Sequence, residues 1–141
     1  MNIVYVLLVL VVPLGLLGHT AAFADPRRDA LLADLLAQAQ QAEPGFTGFS
    51  AERGAALYQA THTGGKQSTG SCTACHGPSP QGTGQTRAGK TIVPMAVSKN
   101  PARYTDKATV EKWCTRNCQD VLGRACTAKE KGDFLTYMMG Q

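Results

Sequence analysis

Two regimes of hydrophobic patterning divide the chain. Residues 3–17 form an almost unbroken apolar run, whereas from residue 25 onward apolar positions recur mostly at helical spacing between polar, glycine-rich stretches. Asp25-Pro26 supplies a capping side chain and a proline at the first helical position, and Leu31, Leu32, Leu35, Leu36 and Ala39 follow. A helix is therefore predicted over about 26–42, stopped by Glu43-Pro44-Gly45. Ser50 caps a second helix, about 51–60, with Leu57 and Tyr58 toward the core. Gly54 inside it costs about 1 kcal/mol against alanine. Such a glycine points to the close approach of another helix, and Phe134 and Leu135 are the candidates to cross it. Thr105 or Asp106 caps a third helix, about 107–117, whose Val110, Trp113, Cys114 and Asn117 share one stripe expected to be buried. The capping box of Thr127 and Glu130 opens the last helix, which runs through Phe134, Leu135 and Met138 to Gly140. Residues 61–71 are a polar loop, and His62 in it reads as solvated. Residues 77–100 read as one long loop with Ile92, Val93 and Met95 as its apolar contacts.

The apolar run ends in Ala22-Phe23-Ala24, the small-x-small form of a signal-peptidase site. It is shorter than the roughly 20 residues of a membrane span. Cleavage after Ala24 is expected, with export to the periplasm. No Lys or Arg precedes the run, so an uncleaved N-terminal anchor is the alternative. Removing residues 1–24 leaves 117 of the 141, one small domain at 46–141 with a helical extension at 25–45.

Cys72-Thr73-Ala74-Cys75-His76 changes the picture. Two thiols three residues apart, followed at once by histidine, form the attachment signature of a c-type haem. Each sulfur adds to one vinyl group, and His76 can serve as the proximal ligand of the iron. A zinc site would want a second short-spaced ligand pair, which His62 and His76 do not supply. A dithiol redox pair belongs at the start of a helix after a strand, and no strand-rich pattern precedes this one. The expected cofactor is one covalent haem c, and the expected fold is all-α and similar to a small class I cytochrome c.

The net charge of +4 is unchanged by removing the leader, and haem propionates would lower it by up to two. Such a mildly basic surface suits an acidic protein partner and is too weak to argue for nucleic acid. Five cysteines fit an oxidising compartment, and the motif leaves Cys114, Cys118 and Cys126 over. The second axial position decides between an electron carrier and a gas-binding protein. Met95 lies 19 residues after His76 in the loop expected to cover the haem, which gives a plain His/Met electron carrier as one reading. Met138 and Met139 read as core. Asn117, from position alone, reads as a helix terminator. Arg103, Arg116 and Lys90 read as solvated charges, with a place near the distal edge or the propionates as the alternative.

Several separate segments resemble the sphaeroides haem protein (SHP) family of oxygen-binding c-type cytochromes. They are Thr61-His62-Thr63-Gly64-Gly65-Lys66, Asn100-Pro101-Ala102-Arg103-Tyr104-Thr105-Asp106, Val110-Glu111-Lys112-Trp113, and Arg116-Asn117-Cys118-Gln119-Asp120-Val121-Leu122-Gly123-Arg124-Ala125-Cys126-Thr127 with Glu130-Lys131. The resemblance runs from about residue 50 to the C-terminus and leaves out the helix at 26–42. It implies that Asn117 is the sixth ligand, that Cys118 and Cys126 form a disulfide, and that the amide leaves on reduction to open a position for O₂, NO or CO. It further implies a dihaem c-type cytochrome or a membrane cytochrome b as electron donor, and reaction of the oxygenated form with NO, which would make the protein enzyme-like. The competing pair, Cys114 with Cys118, stands one helical turn apart with nearly parallel Cβ vectors, which suits a disulfide badly. Cys114 is a departure from the family pattern and is expected to act as a small buried hydrophobe.

Overall fold

The computed structural model describes residues 24–141. The expected leader, with its apolar run, lies outside the described residues. The elements are α1 (Pro26–Ala42), α2 (Ala51–Gln59), a 3₁₀ turn (Gln67–Thr69), α3 (Thr73–His76), β1 (Gly84–Gln85), β2 (Thr91–Ile92), α4 (Lys107–Leu122) and α5 (Ala128–Met139). Each long helix starts on a side-chain cap. Asp25 accepts from the Arg27 amide, Ser50 from Arg53, Asp106 from Thr109 and Thr127 from Glu130. Glu130 returns the bond to the Thr127 amide at 2.8 Å and completes the capping box.

α5 is the hub, packed on both α1 and α2. Leu31 and Leu35 of α1 share one core cluster with Val110 of α4 and Leu135 of α5. Tyr58, Met95 and Met138 form a second cluster. Alternate faces of α5 serve the two neighbours, which explains where Gly54 crosses. A Cβ at Gly54 would stand 2.6 Å from the Asp133 carbonyl carbon and 2.8 Å from Tyr137 Cβ. The crossing is therefore at Asp133 and Tyr137, not at the expected Phe134 and Leu135. Residues 133 and 137 lie one turn apart on one face, while Leu135 is committed to the α1 cluster and Phe134 meets the Tyr58 and Tyr104 rings. Buried Asp133 locks this contact by accepting from the Ser50 amide and from two nitrogens of Arg53, each at 2.7 Å.

Four further expectations are corrected. α4 runs to Leu122 instead of ending near Asn117. Val110, Cys118 and Val121 continue its buried face, and Gly123 at φ +70° supplies the left-handed cap. Trp113 is 45% exposed, so the buried stripe excludes it, and Cys114 and Asn117 are half-buried at its margin. The 77–100 stretch contains a short antiparallel hairpin, Gly84 opposite Ile92 and Gln85 opposite Thr91. Its buried apolar residues are Met95, Ala96 and Val97, whereas Val93 is 53% exposed. His62 is half-buried and not solvated: its Nε2 lies 3.1 Å from the Leu57 carbonyl oxygen and ties the loop to the end of α2.

Candidate haem site

The motif folds as a single turn. The His76 amide donates to the Cys72 carbonyl at 3.0 Å and Gly77 to Thr73 at 2.9 Å, and Gly77 at φ +77° ends the turn. Cys72, Cys75 and His76 are thereby held on one short element, all half-buried. The Tyr58 hydroxyl, inside the second core cluster, donates to the Gly77 carbonyl at 2.7 Å and fixes the far end. Strand β1 presses on the other side. A Cβ at Gly84 would stand 2.8 Å from His76 Cα, so only glycine allows this approach. Cys72 itself packs beside Tyr58, Met95 and Met138.

The environment sets the chemistry of these groups. Burial pushes the Cys72 thiol up to about 11, and the charge of Cys75 adds in the same direction. A nucleophilic dithiol requires the opposite shift. His76 is held below its ordinary value, first by burial and then by the positive charge of Arg103, the direction that favours the neutral imidazole an iron ligand requires. Its Nδ1 is buried with no hydrogen-bond partner among the described residues. Among the described residues no three His, Cys, Asp or Glu side chains gather as a metal cluster. Two half-buried thiols on one turn, an imidazole beside them and an apolar wall of Tyr58, Met95 and Met138 fit covalent attachment of a porphyrin.

Arg103 is not a solvated charge. Its guanidinium donates to the carbonyls of Pro94 at 3.1 Å and Val93 at 2.8 Å, next to the buried Met95. Tyr104 follows at φ +63°, a left-handed conformation rare for a bulky residue, and its hydroxyl donates to the Met95 carbonyl at 2.9 Å. Buried Arg28 of α1 donates to the Pro101 and Arg103 carbonyls at 2.8 and 3.0 Å, clamping the same segment from behind. No sequence signal marked Arg28 or Tyr104 for these roles. Lys90 and Arg116 are exposed.

Met95 is a packing residue of the second cluster, with its amide bound to the Pro80 carbonyl at 2.8 Å. On α4, Asn117 lies five residues before the helix end, half-buried, and its side-chain amide makes no hydrogen bond among the described residues. Cys118 is joined to Cys126 by a disulfide with Cα atoms 5.5 Å apart. The glycine-rich 61–71 segment lies against this end of α4, where the Lys66 amide and the Thr69 hydroxyl both donate to the Asp120 carbonyl. Cys114 is a free thiol packed beside Leu31, Leu35, Val110 and Leu135, and burial pushes it up to about 11.

Residues 44–138 match a protein-family model described as a domain of unknown function, DUF1924. The cytochrome c-type protein SHP of Cereibacter sphaeroides is 55% identical over 91 residues, 64% of this chain and 70% of that protein. Cytochrome c'' of Methylophilus methylotrophus is 38% identical over 69 residues, 48% of each chain. The structure of oxidised SHP, described as an oxygen-binding cytochrome c, superposes with a TM-score of 0.75 at 47% identity, covering 81% of this chain and 96% of that one. That share exceeds what residues 44–141 alone could supply, so the likeness extends into α1. The crystal structure of oxidised cytochrome c'' from Methylophilus methylotrophus follows with a TM-score of 0.71 at 28% identity, covering 82% of this chain and 95% of that one. The chain belongs to the family of SHP, with the helical fold of these cytochromes, and its cofactor is covalently attached haem c.

Proposed function

We propose that this chain is a periplasmic monohaem cytochrome that binds a diatomic molecule, O₂ foremost, at the reduced iron. Cys72 and Cys75 hold the porphyrin through thioethers, His76 is the proximal ligand and Asn117 the distal one. When bound, the haem supplies a one-electron couple and, with one axial position freed, a place for a small gas. The observation that carries the reading is the placement of Asn117. It is not a helix terminator, because α4 continues to Leu122, and it stands half-buried on that helix with no hydrogen bond from its side-chain amide among the described residues. Asparagine is a poor residue for a helix interior unless its side chain has something else to do. The Cys118–Cys126 bridge beside it pins the backbone from which that amide swings.

The physical logic concerns Asn117 alone. Its amide oxygen is a weak, neutral donor that suits ferric iron and competes poorly for the softer ferrous state. On reduction Asn117 would therefore withdraw, with its side-chain amide then free to donate a hydrogen bond to a bound gas. The same theme is named for a relative: a solution structure of cytochrome c'' addresses the basis of haem-ligand detachment. An exported haem protein that takes electrons from another cytochrome and meets a gas is the reading most consistent with the family and the site.

Visible spectra of the holoprotein, ferric and then ferrous, before and after CO, test this. The expected result is a low-spin ferric form that becomes high-spin on reduction and takes up CO at once. Asn117→Ala should already be altered in the ferric state. A ferrous form that stays low-spin and ignores CO, with an N117A ferric spectrum unchanged, would overturn Asn117 ligation in favour of a permanent methionine ligand.

A further inference from the structure

The segment between α2 and the haem motif closes on itself and grips α4. The His62 amide donates to the Gly70 carbonyl at 2.6 Å, and the Thr69 amide to the Lys66 carbonyl at 2.9 Å. At its start, the His62 ring is tied to the Leu57 carbonyl of α2. At its end, the Ser71 hydroxyl accepts from the Ala74 amide at 3.2 Å, in the turn that carries Cys72, Cys75 and His76.

Its middle meets the last turn of α4, where a helix leaves its carbonyls without intrahelical partners. The Asp120 carbonyl accepts from the Lys66 amide at 2.8 Å and from the buried Thr69 hydroxyl at 3.1 Å. Lys66 Nζ adds an ion pair to the Asp120 carboxylate at 2.5 Å, exposed and worth little. The two backbones touch directly. A Cβ at Gly65 would run into the Asp120 carbonyl oxygen and stand 2.5 Å from the Val121 carbonyl, and one at Gly64 would run into the Leu122 carbonyl oxygen. Neither glycine has a φ in the left-handed region, so it is the close approach and not a turn that calls for glycine here. Asn117 stands three residues before Asp120 and four before Val121, on the same side of α4. A helix carries a displacement of its last turn back to such a neighbour, and about 1 Å is enough to spoil a contact that depends on position.

We propose that residues 61–71 are a strut that sets the distance between the haem-attachment turn and α4, with Gly65 and Thr69 as positioning residues for Asn117. This rests on the ligand reading above. A firm strut keeps the weak amide ligand in place at ferric iron, and a slack one yields its position to a competing ligand.

The probe is cyanide, which binds the ferric iron only as Asn117 leaves it. Thr69→Val keeps the shape of the side chain and removes the hydroxyl donor to Asp120. Ferric T69V holoprotein should bind cyanide about fivefold faster than wild type, the size of one neutral hydrogen bond, and should show a larger high-spin fraction in its spectrum. Gly65→Ala, which parts the two backbones, should go further in the same direction. In an N117A background neither substitution should change the cyanide rate, because no distal side chain is left to position. A T69V rate equal to that of wild type would overturn the proposal. So would equal acceleration by T69V in both backgrounds, which would put the effect on the pocket and not on Asn117. The N117A protein by itself separates the two readings. With the wild-type ferric spectrum and cyanide rate, it overturns the ligand reading and the strut together. Altered, beside an unmoved T69V, it overturns the strut alone.

Discussion

The turn at Cys72–His76 and the helix α4, which we propose contribute to one site, are built by different means. In the turn, chemistry comes from sequential neighbours: two thiols and an imidazole within five residues, closed by Gly77 and braced by Tyr58. In α4, chemistry depends on where a helix stops and what packs on it. Asn117 changes meaning according to whether the helix ends there or at Leu122, and that is settled by Gly123, the disulfide and the 61–71 segment lying across them. A local motif survives changes in its surroundings as a motif. A residue whose role depends on helix register, as proposed for Asn117, does not.

The strongest way to separate the two regions is to remove the local one. In the double variant Cys72→Ala, Cys75→Ala, covalent attachment should be lost completely, with all haem extractable into acidified organic solvent, and retained attachment would exclude these thiols as the anchors. The next largest effect should come from Gly54→Ala, which touches neither region. Its new Cβ would meet the Asp133 backbone and Tyr137 Cβ, where backbone cannot yield. A loss of about 3 kcal/mol is expected in denaturant unfolding.

The α4 side is sharpened by its disulfide. Replacing Cys118 and Cys126 with alanine should lower stability by about 2.5 kcal/mol on the chain-entropy account for this short loop. It should also loosen Asn117, seen as a ferric spectrum that becomes temperature-dependent. Thiol labelling of unreduced, denatured holoprotein should modify Cys114 alone, and a labelled Cys126 would refute the pairing. The smallest effect is at the start of α5. Glu130 is held down at about 2, first by its bonds to Arg124 and then, against the opposing pull of burial, by the Thr127 amide. Because its folded value is depressed, its contribution is present in full above about 4.5 and is lost as the pH falls toward 2. Wild-type stability should therefore drop more steeply across that window than that of Glu130→Gln, by thermal unfolding at each pH.

The limits of the sequence are visible in particular residues. The caps at Asp25, Ser50 and Thr127 were legible because a cap is a contact between neighbours two or three positions apart. Gly54 announced a helix crossing but not its partner, because every residue of α5 has the same spacing and only the rotation of the helix puts 133 and 137 underneath. Trp113 read as core on periodicity, since apolar character cannot distinguish a residue at the edge of a stripe from one at its centre. Neither Arg28 nor Tyr104 carried a signal for its structural role. Their roles depend on carbonyls about 75 and 9 residues away.

By itself the sequence determined the covalent haem motif, the order of helices and the family, because each rests on short-range spacing or on matched strings of residues. Tertiary structure decided the rest. It ran α4 past Asn117, buried Met95 as packing, turned Arg103 inward onto Val93 and Pro94, and left Trp113 outside between two cations. Those outcomes depend on which faces meet and which carbonyls are left without partners, quantities that exist only once distant segments of chain are brought together.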